Sequence, residues 1–134
     1  QIAAFGTACE LAKKAMPEAS ARMAELRSRT TERLCSEMPE TVIIGGGAPH
    51  ILSLSLPGWR SEVLMNYLES KEVYVSRSSA CKKGGRSHVL EAMGLAPEVI
   101  DGAIRVSFSR YTTAEDTDTF CRALKEAHDS LSHR

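Results

Sequence analysis

A short run near the middle of the chain alternates apolar and polar side chains, which is the period of a β-strand with one buried face. Over residues 50–56, three leucines at every second position alternate with Ile51, Ser53 and Ser55, and a Pro-Gly pair follows. Segments with helical spacing lie before and after this run. A strand that is apolar on one face must bury that face, so the chain is expected to layer helices on a sheet.

The two ends of the chain carry the longest helical patterns. Pro17 predicts an interruption in the first, so that one helix precedes it and a second runs from about Glu18 to Met38, where Pro39 ends it. Near the other end, Thr113 and Asp116 have the spacing of a capping box and precede an apolar stripe. This arrangement predicts a closing helix that packs on the sheet.

Shorter elements are predicted between these helices. They are strands at Val42–Ile44, Val73–Ser78 and Ile104–Ser109, and helices at Ser61–Ser70 and Ser87–Met93. Gly45-Gly46-Gly47 lacks the Gly-Lys-Ser/Thr continuation of a phosphate-binding loop and is interpreted as a turn. We therefore predict one α+β domain over residues 1–134, with helices layered on a small, mainly antiparallel sheet.

Composition excludes several classes of function. Seventeen basic and seventeen acidic residues give a net charge of zero, which favours neither nucleic acid nor an anionic membrane as a partner. No apolar run approaches the roughly 20 residues that span a bilayer, so a cytoplasmic protein is expected. The four cysteines include no Cys-x-x-Cys pair, so neither a metal site nor disulfides are expected. Cys9 and Cys121 lie among apolar residues and are predicted to be small buried hydrophobes.

Cys81 has a different setting. It ends the strand-like run that begins at Val75 and precedes the basic, glycine-containing segment Lys82–Arg86. Neighbouring cations favour the thiolate, which is the nucleophilic form of cysteine. The local sequence alone leaves two interpretations open, a reactive thiol and a free cysteine at the end of a strand.

Three motifs around Cys81 follow one another in a recognisable order. They are Ser79-Ala80-Cys81, the segment Ser87–Leu95 and the segment Ile104–Thr113, with Ala48–Leu52 upstream. This order resembles the C-terminal small domain of cysteine desulfurases, which are pyridoxal-phosphate enzymes of the class V aminotransferase family and have fold type I. The sequence departs from the family at Ser78 and Ser109, where glycine is usual, and in a slightly shorter loop after the cysteine.

The resemblance implies a role for two residues. Cys81 matches the mobile family cysteine that attacks the sulfur of L-cysteine bound to pyridoxal phosphate, which leaves L-alanine and a persulfide on the enzyme. Arg105 matches the arginine that holds the substrate carboxylate. Its position between Ile104 and Val106 on a strand would place it on the face opposite theirs. For Arg105 the alternative is a surface ion pair, and Arg110 is equally well explained as an exposed charge.

The family also has a cofactor-binding large domain, whose Schiff-base lysine lies in a Ser-x-His-Lys run. No such run occurs here, so neither a cofactor-binding nor a metal-binding residue is predicted in this chain. The chain begins at Gln1 with helical spacing already established, as expected for a fragment cut from a longer enzyme. The resemblance implies that it contributes half of an active site and is inactive alone.

Two other functions remain open from the sequence. One is a stand-alone persulfide carrier or adaptor domain, and the other is a related class V enzyme such as a selenocysteine lyase. The desulfurase interpretation implies L-cysteine as substrate, a sulfur-acceptor scaffold or carrier protein as partner, and a homodimeric parent. Iron–sulfur cluster assembly is one pathway that such an enzyme serves.

Overall fold

The protein is seen in a computed structural model that describes residues 1–77 and 86–131. These residues form five helices and four strands, which confirms the predicted α+β class. The helices are α1 (Ile2–Glu37), α2 (Ser61–Ser70), α3 (His88–Ala92), α4 (Pro97–Asp101) and α5 (Ala114–Leu131). The strands are β1 (Val42–Ile44), β2 (Ile51–Ser55), β3 (Ser76–Arg77) and β4 (Ala103–Ser107).

The four strands form one sheet in the order β1-β2-β4-β3, and every neighbouring pair is antiparallel. On one face of the sheet, Leu52, Leu54 and Ile104 are fully buried. They belong to the main hydrophobic core, to which α1 contributes Leu34 and α5 contributes Leu124. The leucine alternation therefore predicted both the strand and the face that the long helices cover.

The opposite face of the sheet is covered at one end. Leu90 of α3 and Ile100 of α4 form a second core cluster with Ile44 and Ala103 of the sheet. As a result Ser55 is fully buried, although the alternation had placed it on a polar face. At the other end of this face, Arg105 is half-buried. Ser107, the next residue of β4 on this face, is exposed, so among the described residues this end of the face is the more accessible one.

Helix α1 corrects the prediction of two helices separated at Pro17. It is one continuous helix from Ile2 to Glu37 with Pro17 inside it. A proline removes one hydrogen bond and bends the helix at the preceding turn, but flanking alanine, lysine and glutamate residues favour helix on both sides. Cys9 is exposed on this helix, as are all of residues 1–14, so its predicted burial was also wrong.

The remaining helices and strands agree with the predicted bounds to different degrees. Helix α2 has the predicted bounds, and Gly94 follows α3 with a φ of 72°, the left-handed conformation expected after a helix. Helix α4 was not predicted, although Pro97 occupies its first turn, where proline is favoured. Strand β3 is shorter than the predicted Val73–Ser78 run within the described residues, because only Ser76 and Arg77 pair with β4.

The predicted capping box at the start of α5 is present. The backbone N–H of Thr113 donates to Asp116 Oδ2 at 2.8 Å, and the backbone N–H of Asp116 donates to Thr113 Oγ1 at 3.1 Å. The first of these bonds is the main reason that the pKa of Asp116 lies below its ordinary value. The carboxylate therefore stabilises the fold above that ordinary value, and the contribution is lost as the pH falls through the folded-state pKa.

We expect Thr113→Ala to lower the free energy of unfolding by about 1 kcal/mol at pH 7, because it removes the side-chain half of the box. Urea unfolding followed by circular dichroism measures this difference. Thr119→Ala, a substitution within the same helix, is the matched control. An unchanged midpoint for Thr113→Ala would show that α5 does not depend on this cap.

No helix in the described ranges combines the length and apolar character needed to cross a membrane.

Candidate functional site

Arg105 lies in the middle of β4, on the half-open face of the sheet. It pairs with Ser53 of β2 on one side and Ser76 of β3 on the other, and residues directly opposite in antiparallel strands share a face. Its neighbour Ile104 is fully buried on the other face. The Arg105 Nε donates to Ser76 Oγ at 3.2 Å.

The charge of Arg105 has no counter-ion in the described part of the chain, where no carboxylate oxygen lies within ion-pair distance of its guanidinium. Several other arginines do have such partners. Arg29 and Arg33 pair with Asp118, Arg77 with Glu62, and Arg86 with Asp101, at 2.6–2.9 Å. The guanidinium of Arg105 is thus free to pair with an anion from outside the described residues. The site can therefore accept a carboxylate, for which the guanidinium fork is well shaped.

The predicted nucleophile Cys81 and the rest of residues 78–85 lie outside the described residues. The segments on both sides of them are described, and each ends in an ion-paired arginine. Arg77 donates from Nη1 to Glu62 of α2 at 2.6 Å. Arg86 donates to both carboxylate oxygens of Asp101, each at 2.7 Å. That bidentate contact is the main reason that the pKa of Asp101 lies below its ordinary value.

The other three cysteines have settings that do not favour a nucleophile. Cys121 is 1% exposed in the main core, as predicted, and its burial raises the pKa of the thiol to about 11. It is therefore neutral and inaccessible near pH 7. Cys9 and Cys35 are exposed on α1. Among the described residues, no group of three or more histidine, cysteine, aspartate or glutamate side chains could hold a metal ion.

The lysines in the described residues do not form an attachment site for pyridoxal phosphate. Lys71 pairs with Glu126 at 2.9 Å, and Lys125 pairs with Asp129 at 3.0 Å. The two remaining described lysines, at positions 13 and 14, are exposed on α1. None of these four lysines lies in β2, β3 or β4, the strands that surround Arg105.

The contact between Ser76 and Arg105 is one that the sequence did not reveal. Ser76 follows Val75 and precedes Arg77, a context that gave no sign of a partner. The pairing of β3 with β4 places it directly opposite Arg105. Only the register of the two strands, which joins residues 29 positions apart, carries that information.

Comparison with known proteins extends over nearly the whole chain. The family model for class-V aminotransferases matches residues 1–120. A cysteine desulfurase from Klebsiella pneumoniae is 32% identical, with the match covering 97% of this chain and 34% of that protein. Cysteine desulfurase IscS from Photorhabdus laumondii is 37% identical over 98% of this chain and 32% of its own length. The chain thus spans about a third of the length of these relatives.

Solved structures agree with the fold. A NifS-like protein superposes with a TM-score of 0.79 at 33% identity, over 91% of this chain and 31% of its own. A NifS-like protein from Rickettsia africae superposes with a TM-score of 0.83 over 96% of this chain and 34% of its own, and at 24% identity it supports the fold alone. The motifs that suggested the resemblance lie within the matched residues, and this chain belongs to the class-V aminotransferase family.

Proposed function

We propose that this chain is the part of a cysteine desulfurase that binds the substrate carboxylate and carries the sulfur. The observation that supports this most directly is Arg105, whose half-buried guanidinium has no carboxylate partner in the described residues and is held by Ser76. An amino-acid substrate has a carboxylate that such a fork binds. A protein that only carries a persulfide has no need of this contact.

Cys81 is the proposed nucleophile. Its thiolate attacks the sulfur of L-cysteine, so that an S–S bond forms at Cys81 and the bond between the substrate sulfur and its Cβ breaks. The electron pair of that broken bond, with one proton, ends on the carbon and completes L-alanine. The products are alanine and a persulfide on Cys81, and no external oxidant or reductant is needed.

Arg105 would contribute to this reaction by orientation. A bidentate contact fixes the carboxylate end of L-cysteine and so limits the positions of its sulfur. Pyridoxal phosphate, the cofactor of this family, supplies the electron sink that makes the C–S bond labile. The persulfide sulfur would then pass to an acceptor protein. We also propose that the full-length protein is a homodimer.

The isolated 134-residue chain and the full-length protein are expected to differ in activity. The isolated chain should show no visible absorbance of bound cofactor and release no sulfide from L-cysteine, because its described lysines do not provide the attachment site. The full-length protein should do both. An absorbance spectrum of the purified protein measures bound cofactor, and a sulfide assay measures the reaction.

Mass spectrometry of the full-length protein after turnover provides the decisive control. An added sulfur atom is expected on the peptide that contains Cys81. A cofactor-loaded, active preparation of the isolated chain would contradict the proposal that the cofactor is attached outside these 134 residues. A full-length protein that converts L-cysteine to alanine without any persulfide would contradict the role of Cys81.

A further inference from the structure

The hydroxyl of Ser76 makes two hydrogen bonds to Arg105. Its Oγ accepts a hydrogen bond from Arg105 Nε at 3.2 Å, and the same hydroxyl donates to the backbone carbonyl of Arg105 at 3.4 Å. Both residues are half-buried. The hydroxyl therefore connects the side chain of the arginine to its own strand.

This contact determines which edge of the guanidinium is available. An arginine binds a carboxylate either side-on, through Nε and one Nη, or end-on, through Nη1 and Nη2. The bond to Ser76 uses the N–H of Nε. The two Nη groups make no hydrogen bond in the described part of the chain, so the end-on edge is the one left for a carboxylate.

The position of Ser76 is fixed by the pairing of β3 with β4 and by an ion pair between β3 and α2. Ser76 lies directly opposite Arg105 in the register of β3 and β4. The next residue, Arg77, alternates to the other face and is ion-paired with Glu62 of α2 at 2.6 Å. The two-residue strand is thus held by β4 and by a helix, which gives the hydroxyl a defined place to hold the guanidinium.

We infer that Ser76 is a positioning residue that holds the Arg105 guanidinium so that its two Nη groups bind the substrate carboxylate end-on. This inference rests on the proposed function, because it assigns a support to the same carboxylate site. An arginine side chain has many rotamers, and a support that restricts them lowers the entropy lost when the ligand binds.

The test compares variants of the full-length protein. Ser76→Ala should raise the KM for L-cysteine about tenfold with kcat changed less than about twofold, since a hydrogen bond to a charged group is lost while the nucleophile is untouched. Ser76→Thr, which keeps the hydroxyl, should restore KM to within about threefold of the original value. In an Arg105→Ala background, Ser76→Ala should have no further effect, because the two residues act as one unit.

Ser53→Ala is the matched control, since Ser53 lies opposite Arg105 on the other side but its hydroxyl makes no hydrogen bond to Arg105 in the described residues. It should leave KM unchanged. If Arg105→Ala raises KM and Ser76→Ala does not, the positioning role is wrong and the proposed function stands. If Arg105→Ala itself leaves KM unchanged, the carboxylate site is wrong. Failure of Ser76→Thr to restore KM, or an equal effect of Ser53→Ala, would also overturn the positioning role.

Discussion

Replacing Cys81 by serine in the full-length protein is expected to abolish sulfide release from L-cysteine while leaving the cofactor bound. The serine hydroxyl is nearly the same size as the thiol, so the fold should be preserved. It is a far weaker nucleophile, because a hydroxyl is not ionised near pH 7 and does not form a persulfide. A sulfide assay and the visible absorbance of the purified variant measure the two properties separately.

Two variants control for the loss of a thiol as such. Cys35→Ser removes an exposed thiol from α1 and should leave turnover unchanged. Cys121→Ser should also retain the reaction chemistry, although it replaces a buried core residue and is expected to be less stable. Mass spectrometry that finds the added sulfur on Cys9, Cys35 or Cys121 instead of Cys81 would contradict the assignment.

The sequence predicted those elements whose pattern is local. Helix α2 was predicted at its observed bounds because Leu64 and Leu68 lie one helical turn apart. In the structure both leucines are fully buried. The start of α5 was found because Thr113 and Asp116 complete each other's hydrogen bonds within four residues. Such signals involve residues that are close in sequence, so they can be recognised from the amino-acid sequence alone.

The two errors, at Pro17 and at Ser55, have different origins. Pro17 interrupts a helix by local preference, yet α1 continues through it, because the residues on both sides of the proline favour helix. Ser55 alternates like an exposed residue, yet α4 covers it. Gly102 lies so near the Leu56 carbonyl that a Cβ would collide with it, and this close approach allows α4 to reach that face. A contact between distant segments therefore decided the burial of Ser55, and sequence spacing does not display such contacts.

The candidate site likewise has features that the local sequence predicts and features that depend on contacts between distant segments. Arg105 was predicted from a motif, and its face of the sheet was predicted from the alternation of side chains along a strand. In the structure it lies on the face opposite Ile104, as expected. Its support by Ser76 depends on the pairing of β3 with β4, which joins residues distant in sequence. Cys81 was predicted from its motif alone, and its role stays a prediction.

Arg105→Ala in the full-length protein is expected to weaken the use of L-cysteine mainly through substrate binding. A bidentate contact to the carboxylate is made in the ground state and in the transition state alike, so its loss raises KM more than it lowers kcat. Removing one partner of such a charged, hydrogen-bonded pair costs roughly 2–5 kcal/mol, which corresponds to at least about a 30-fold fall in kcat/KM. Steady-state kinetics over a wide range of L-cysteine concentration measures both parameters.

Two arginine variants define what the contact requires. Arg105→Lys keeps the positive charge but loses the planar fork and the Nε bond to Ser76, so it should recover only a small part of the lost affinity. Arg110→Ala is the matched control, because Arg110 is exposed and its guanidinium lies 4.7 Å from the ring centre of the adjacent Tyr111. It should leave KM unchanged. Kinetics of Arg105→Ala equal to those of Arg110→Ala would show that Arg105 is an ordinary surface charge, because the loss of a substrate contact must separate the two.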